Sequence, residues 1–410
     1  MTKKYFKFII PLVFLIAVAL GLLQRENNQY TFSQTQTSGG LLNYYQKGQN
    51  LKQNQKQENA KTTFLAVGDI MLSRNVAGTI KKANDPLLPF LKMKEVFNSV
   101  DFSFGNLESP VSGKDHFNPS GSLVFNAPPA YTKGLSEFNF KALTLANNHA
   151  LDQGEEGLFY TLDFLDSLNI KHTGAGKTLS EAFKPAIVES NYIKICFIGT
   201  SYASINDSGK TTNNFVARID DLQNLQFSIS NLKLACDFIV VAMHAGTEYQ
   251  TYPNQSQKDF AHASIDAGAD MVIGAHPHWV QTIEKYNDSP PYPYCKKSSQ
   301  ENEITIKEGR KYQSLDLGNG CGGKYIFYSL GNFIFDQEWS RETKEGLTLK
   351  IEVSKIKNQN ELQGTKIPAK LESIELIPII IENYSTPRIA TEVEAKRILD
   401  RIGQTETVLR

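Results

Sequence analysis

Five short apolar runs in this chain each end directly in residues that bind metals or carry protons. Run 63–67 leads into Gly68, Asp69, Ile70 and Met71, and run 100–104 leads into Gly105, Asn106, Leu107 and Glu108. Run 140–146 leads into Asn147, Asn148 and His149, run 238–243 into His244 through Tyr249, and run 270–274 into Ala275, His276, Pro277, His278 and Trp279. Runs of this length read as buried strands, and stretches of helical period, 157–168 and 255–267, lie between them. Further runs at 192–199, 325–330, 347–353 and 371–381 read as strands, and 391–402 as an amphipathic closing helix. Strands alternating with helices predict an α/β domain with covered sheets. In open α/β sheets ligands bind beyond the carboxyl ends of strands, so five such loops predict one shared site.

The residues in those loops are skewed towards metal chemistry. Of seven histidines, His149, His244, His276 and His278 fall there. Imidazole together with carboxylate suits Zn, Mn or Fe. Pro277 biases His276 towards extended backbone, where residues two apart point the same way, so His276 and His278 are expected to address one centre. Gly274 is expected to let the chain turn tightly into that loop. The alternative is a pair of surface histidines. His244 reads as a ligand or as a structural histidine with satisfied hydrogen bonds. Asp69 reads as a ligand or as the cap of a following helix. Asn148 and His149 offer an amide oxygen and a proton donor, a pairing also found in ordinary loops. Glu108 reads as a ligand, a base or a surface carboxylate. Tyr249, Tyr252 and Trp279 form either an aromatic wall for substrate or rim packing. There is no Walker loop, no GxSxG elbow and no GxGxxG; Gly174-Ala175-Gly176 reads as a turn.

The first sixty residues differ from the rest. Lys3, Lys4 and Lys7 precede an uncharged run, 8–23, which reads as a membrane anchor with a cytoplasmic N-terminus, or as a signal peptide cleaved near Ala17-Val18-Ala19. The alternative is a buried core helix. Segment 24–61 is rich in Gln, Asn, Ser, Thr and Lys and reads as a disordered polar tether. The domain proper is expected over 62–410, outside the cytoplasmic membrane, or secreted if the segment is cleaved. A polar surface insertion is expected at about 287–324, closed by a disulfide between Cys295 and Cys321 or carrying two free thiols. Cys196 and Cys236 lie in or beside apolar runs and read as buried thiols. With 43 basic and 43 acidic side chains the net charge is zero, which argues against a nucleic-acid partner.

Taken in order, six segments resemble those of the CapA family of poly-γ-glutamate capsule biosynthesis proteins, a branch of the calcineurin-like metallophosphoesterase superfamily. They are Val67-Gly68-Asp69-Ile70-Met71; Gly105-Asn106-Leu107-Glu108; Ala146-Asn147-Asn148-His149 with Asp152 and Gly154; His244 to Tyr249; Gly274-Ala275-His276-Pro277-His278 with Gln281; and Tyr328-Ser329-Leu330-Gly331-Asn332-Phe333. The resemblance implies two packed mixed β-sheets flanked by helices, a four-layer α/β/β/α sandwich. It implies metal ligands at Asp69, Asn148, His244, His276 and His278, holding one or two divalent ions. It implies a catalytic role for His149, as the acid that protonates a leaving group; Glu108 is a second expected catalytic residue. Asn106, Glu248, Tyr249 and Asn332 are the expected substrate contacts. Two positions depart from the superfamily: Met71 stands where a histidine is usual, and Asn106 where a metal-bridging aspartate is usual, with Glu108 two residues later as a candidate bridge.

Three functions follow as expectations. The first is a metal-dependent hydrolase or transferase acting on an anionic cell-surface polymer such as poly-γ-glutamate. The second is a non-enzymatic component of a capsule synthesis or export assembly, working with other capsule-synthesis membrane proteins. The third is a conventional phosphoesterase.

Overall fold

The strand that carries Asp69 also joins the parallel and antiparallel halves of the larger sheet. A computed structural model describes residues 59–202, 214–286, 306–308, 313–315, 317, 324–356 and 368–402. All belong to one unit, Glu58–Arg410. The chain runs β1 (Asn59–Ile70), α1 (Arg74–Ala83), β2 (Phe102–Leu107), β3 (Phe140–Thr144), α2 (Gly154–Ser167), β4 (Lys171–Thr173), β5 (Ala186–Ser190) and β6 (Ile193–Ser201). It continues with α3 (Leu222–Ala235), β7 (Phe238–His244), α4 (Gln255–Ala267), β8 (Met271–Ala275), β9 (Ile283–Tyr286), β10 (Ile306–Glu308), β11 (Gln313–Leu315) and β12 (Lys324–Phe327). It closes with β13 (Asn332–Ile334), β14 (Glu345–Ile356), β15 (Lys370–Glu382), β16 (Thr386–Ile389) and α5 (Glu392–Ile402).

One sheet has the order β10-β11-β15-β14-β1-β2-β3-β4, with β13 on β1 and β16 on β15; the other has the order β5-β6-β7-β8-β12-β9. Both are mixed. β1 runs parallel to β2 but antiparallel to β14, and β12 runs parallel to β8 but antiparallel to β9. Successive residues of a strand face opposite sides, and β1 shows why two sheets must pack. Leu65 and Val67 join the core beneath α1 and α2, with Val76, Ile80, Leu158 and Leu162. Phe64 and Ala66 join the core between the sheets, with Phe102, Phe104, Phe197 and Val240. The stacked rings of Phe104 and Phe197, 4.1 Å apart, tie one sheet to the other. The outer face of the second sheet buries Ile198, Val241 and Val272 against Leu225, Ile229, Phe260 and Ile265 of α3 and α4. This is the expected four-layer α/β/β/α architecture.

Several expectations change in detail. β1 begins at Asn59, so residues 59–61, expected in the tether, pair with Ile356 to Ser354; backbone pairing there needs only Ala60 buried. Within the expected insertion, β10 pairs with β11 and β11 pairs with β15, extending the larger sheet. Cys196 and Cys236, read as thiols, form a disulfide with Cα atoms 6.0 Å apart. The turn from α3 into β7 brings Cys236 beside β6, where Cys196 pairs with Ile239; proximity across strands is invisible in a 40-residue separation. Cys295 and Cys321 lie outside the described residues, as do segment 1–58 and its apolar run. Among the described residues, no helix is long and apolar enough to cross a membrane.

Candidate metal centre

All five predicted loops leave strand ends on the same side of the two sheets. Asp69 lies at the end of β1, Asn106 and Glu108 at the end of β2, Asn148 and His149 after β3, His244 at the end of β7, and His276 and His278 after β8. A register shift at the end of β1 turns Asp69 into the crevice. Gly68 permits this, because a Cβ there would lie 1.9 Å from the Gly331 carbonyl oxygen. Asp69 does not cap α1; that position belongs to Ser73.

The candidate ligands are linked by a network of amides. Asn106 donates through Nδ2 to Asp69 Oδ1 at 2.7 Å and lies 3.2 Å from His244 Nδ1. Its Oδ1 accepts from Asn147 Nδ2 at 3.0 Å. His244 Nε2 is 2.7 Å from Asn148 Oδ1. A donor facing Nδ1 and an acceptor facing Nε2 place the His244 proton on Nε2. His278 lies with Nδ1 3.6 Å from Asp69 Oδ2 and 2.9 Å from Asn332 Oδ1. Asn332 also donates to the Thr343 carbonyl at 2.9 Å, so its amide positions His278. Asn106 likewise commits its amide within the protein.

His276 and His278 converge by a route other than the one expected. Neither is extended: their φ angles are 98° and 59°. The left-handed turn, not strand alternation, aims His276 beside His244, ring centroids 4.9 Å apart, and His278 towards Asp69. Gly274 makes no turn; it lies within β8, where a Cβ would meet the Tyr328 carbonyl oxygen at 2.0 Å. Non-glycine residues in left-handed backbone store strain; four of them, His276, His278, Tyr249 at 62° and Arg74 at 47°, lie at or beside the site, and others fall in turns elsewhere.

Glu108 lies wholly buried beside Asp69 and His244, and one ligand atom from each of the three lies within 4.8 Å of the others. Among the described residues, neither Glu108 oxygen meets a hydrogen-bond donor. Its Oε1 is 3.9 Å from the Nε2 atoms of both His149 and His244. Burial first, and the Asp69 charge second, hold the Glu108 carboxyl well above its ordinary range. Burial pushes Asp69 up to about 6. Burial drives His244 and His276 well below the usual imidazole value and His278 down to about 3. Among the described residues, no lysine or arginine forms an ion pair with either carboxylate. Two buried carboxyls facing imidazoles, with no basic side chain paired to them, suit a cation. A divalent ion fits that chemistry, held by Asp69, Glu108 and His244, with Asn148, His276 and His278 adjoining. Met71 offers no imidazole; its buried sulfur accepts from the Ser73 N–H at 3.1 Å.

His149 stands at the edge of this group. Its Nδ1 is 2.7 Å from Asp152 Oδ2, and its ring stacks on Phe125 at 3.9 Å. Asp152 and Phe125 were not among the expected site residues; Asp152 belongs to one of the matching segments and stands three residues after His149, but without an expected role, and Phe125 had no sequence signal. Tyr249 and half-buried Glu248 lie on the rim. Tyr249 packs edge-on against exposed Trp339 at 4.6 Å and lies 6.5 Å from Trp279. Trp339 had no sequence signal at all. Burial first, then the Glu248 charge, hold the Tyr249 phenol above its ordinary value.

Comparison with known proteins bears on this site. The PGA biosynthesis protein CapA of Bacillus subtilis (strain 168) is 30% identical over 340 residues, covering 80% of this chain and 79% of that protein. The capsule biosynthesis protein CapA of Bacillus anthracis is 26% identical over 348 residues, covering 83% and 72%. Among solved structures, the Haemophilus influenzae NAD nucleotidase NadN aligns with TM-score 0.41 at 12% identity, over 85% of this chain and 57% of that one. A 5′-nucleotidase precursor from Thermus thermophilus aligns with TM-score 0.37 at 14% identity, over 84% and 58%. This chain thus spans a little over half the length of those two structures. The sequence profile described as bacterial capsule synthesis protein PGA_cap matches residues 63–337, which hold all five strand-end loops and Asn332. The chain belongs to the bacterial capsule synthesis protein PGA_cap family.

Proposed function

We propose that this protein takes part in making or processing poly-γ-glutamate or a related anionic surface polymer, and that it does so by metal-dependent hydrolysis. One observation carries the chemical part: the two donor-less oxygens of Glu108, buried beside Asp69 and His244. The names of its relatives in Bacillus subtilis and Bacillus anthracis support the polymer. A bound divalent ion supplies Lewis acidity towards the scissile bond and towards water. The protein's own groups do the rest. Asp152 holds the Nδ1 side of His149, leaving Nε2 to carry a proton for the leaving group. Asn106 and Asn332 orient His244 and His278. Tyr249 and Trp339 wall the entrance on one side. Placement outside the cytoplasmic membrane, on an N-terminal anchor, is supported by the lysine-led apolar run and by the Cys196–Cys236 disulfide, a bond that persists in oxidising compartments.

Elemental analysis of the purified full-length protein tests the proposal, beside Asp69→Ala and His276→Ala. Stoichiometric Mn or Zn in the wild type, lost in both variants, is expected. Wild-type protein that refuses both metals sinks the hydrolase reading. Met71 favours a second reading, since it removes one usual ligand: a component of the synthesis or export assembly that has kept the fold without the reaction. Metal-loaded protein that leaves the chain length of added poly-γ-glutamate unchanged would select that reading.

A further inference from the structure

Arg74 belongs to none of the site motifs, yet contacts reach it from both sides of the metal centre. It is the first residue of α1 and holds a left-handed φ of 47°. Its guanidinium is nearly buried. Nη1 donates to the Ser122 carbonyl at 3.0 Å, and Nη2 pairs with Asp336. The second Asp336 oxygen accepts from the Asn75 N–H at 3.1 Å, so the carboxylate grips both the side chain and the start of the helix. The guanidinium carbon lies 4.8 Å from the centroid of Phe125 and 5.7 Å from that of Phe335. Those rings meet edge to face, 6.0 Å apart. Phe125 stacks on His149 at 3.9 Å, with 24° between the planes, and Phe335 lies 4.8 Å from His278. The Phe125 N–H also donates to Asp152 Oδ2, the oxygen that holds His149 Nδ1.

We infer that Arg74 is a positioning residue: gripped by Asp336, it fixes Phe125 and Phe335, and through these rings it sets the imidazole planes of His149 and His278. A planar, forked cation is needed, because it must pair with a carboxylate while lying against two rings. A lysine ammonium has the charge without the plane. The inference rests on the proposed function only for what the two imidazoles then do; their placement stands apart from it.

Full-length, metal-free protein carrying 13C only at histidine Cε1 gives seven imidazole signals, one per histidine. His149→Gln and His278→Gln assign the two that matter. The Phe125 ring current is expected to displace the His149 signal. In Arg74→Ala and Arg74→Lys, the His149 and His278 signals are both expected to move and broaden, while those of His116, His172 and His262 stay. Unmoved His149 and His278 signals in folded Arg74→Ala overturn the inference. Wild-type signals in Arg74→Lys overturn it too, since charge alone would then suffice. If Arg74→Ala fails to fold, Asp336→Asn releases the same grip and carries the same readout. Calorimetric Mn²⁺ affinity is the second measure, expected to fall about 10- to 100-fold in Arg74→Ala, as for other groups that orient a metal ligand. Wild-type protein that binds neither Mn²⁺ nor Zn²⁺ would defeat the hydrolase proposal and leave the imidazole signals to decide this one.

Discussion

His149 Nδ1 lies 2.7 Å from Asp152 Oδ2. The carboxylate accepts the Nδ1 hydrogen, so Nε2, turned towards Glu108, is the nitrogen left to take up and give the proton a general acid transfers. Asp152→Asn presents an amide in place of a pure acceptor and removes that preference. Turnover of poly-γ-glutamate is expected to fall about 100-fold, the usual scale for a mispositioned general acid, with KM and metal content little changed. A parallel loss of metal would show instead that Asp152 shapes the ligand set.

Glu108→Gln keeps the shape and removes the charge. The variant is expected to lose bound metal while its metal-free form survives to a higher unfolding temperature than metal-free wild type at pH 8. The reason is that burial and Asp69 penalise the Glu108 charge, and that penalty grows with pH. Thermal unfolding of both proteins with and without chelator checks both halves.

Metal affinity should rise with pH because of the carboxyls, not the imidazoles. Burial already keeps His244, His276 and His278 neutral at pH 7, whereas Asp69 sits at about 6 and Glu108 is raised well above its usual range. A cation must displace the carboxyl protons, so binding releases protons and strengthens as pH rises through 6 and beyond. The stability of the metal-free protein moves the other way for Asp69. The folded state holds that proton more tightly than the unfolded chain, so its contribution is lost as pH rises from 3.8 to about 6. Calorimetry in two buffers of different ionisation enthalpy counts the protons; affinity that is flat between pH 5.5 and 8 would refute the assignment.

Cys196→Ala with Cys236→Ala is expected to cost about 4 kcal/mol, from the loop entropy of a 40-residue closure. Both sulfurs are buried, so reductant alone should act slowly on the folded wild type and quickly in urea. Urea unfolding of the two proteins, with and without reductant, measures the difference.

Glu345 is fully buried and bonds Arg397 and Arg401, each at 2.6 Å, fastening α5 to the start of β14. Glu345→Ala leaves two guanidinium groups without their acceptor. It is expected to cost about 3 kcal/mol in urea unfolding and to leave the metal content unchanged, since α5 has no residue at the centre.

Much of this protein is legible in its residue order. The short apolar runs are long enough for strands, and their ends hold Asp69, Asn148, His244 and His276, because strand period and strand-end chemistry are local properties. The pairing of Cys196 with Cys236 is not local; it requires β6 and β7 to lie side by side. Nor is the turn at His276 and His278, whose left-handed angles contradict the extended path that Pro277 alone suggests. The roles of Asp152, Phe125, Arg74 and Asp336 depend on loops from distant parts of the chain meeting at one end of the sheets, and on burial that no single segment creates. Residue order thus determined which groups stand at the strand ends. Tertiary packing decided which of them face one another without water, and so which carboxyls are left in need of a cation.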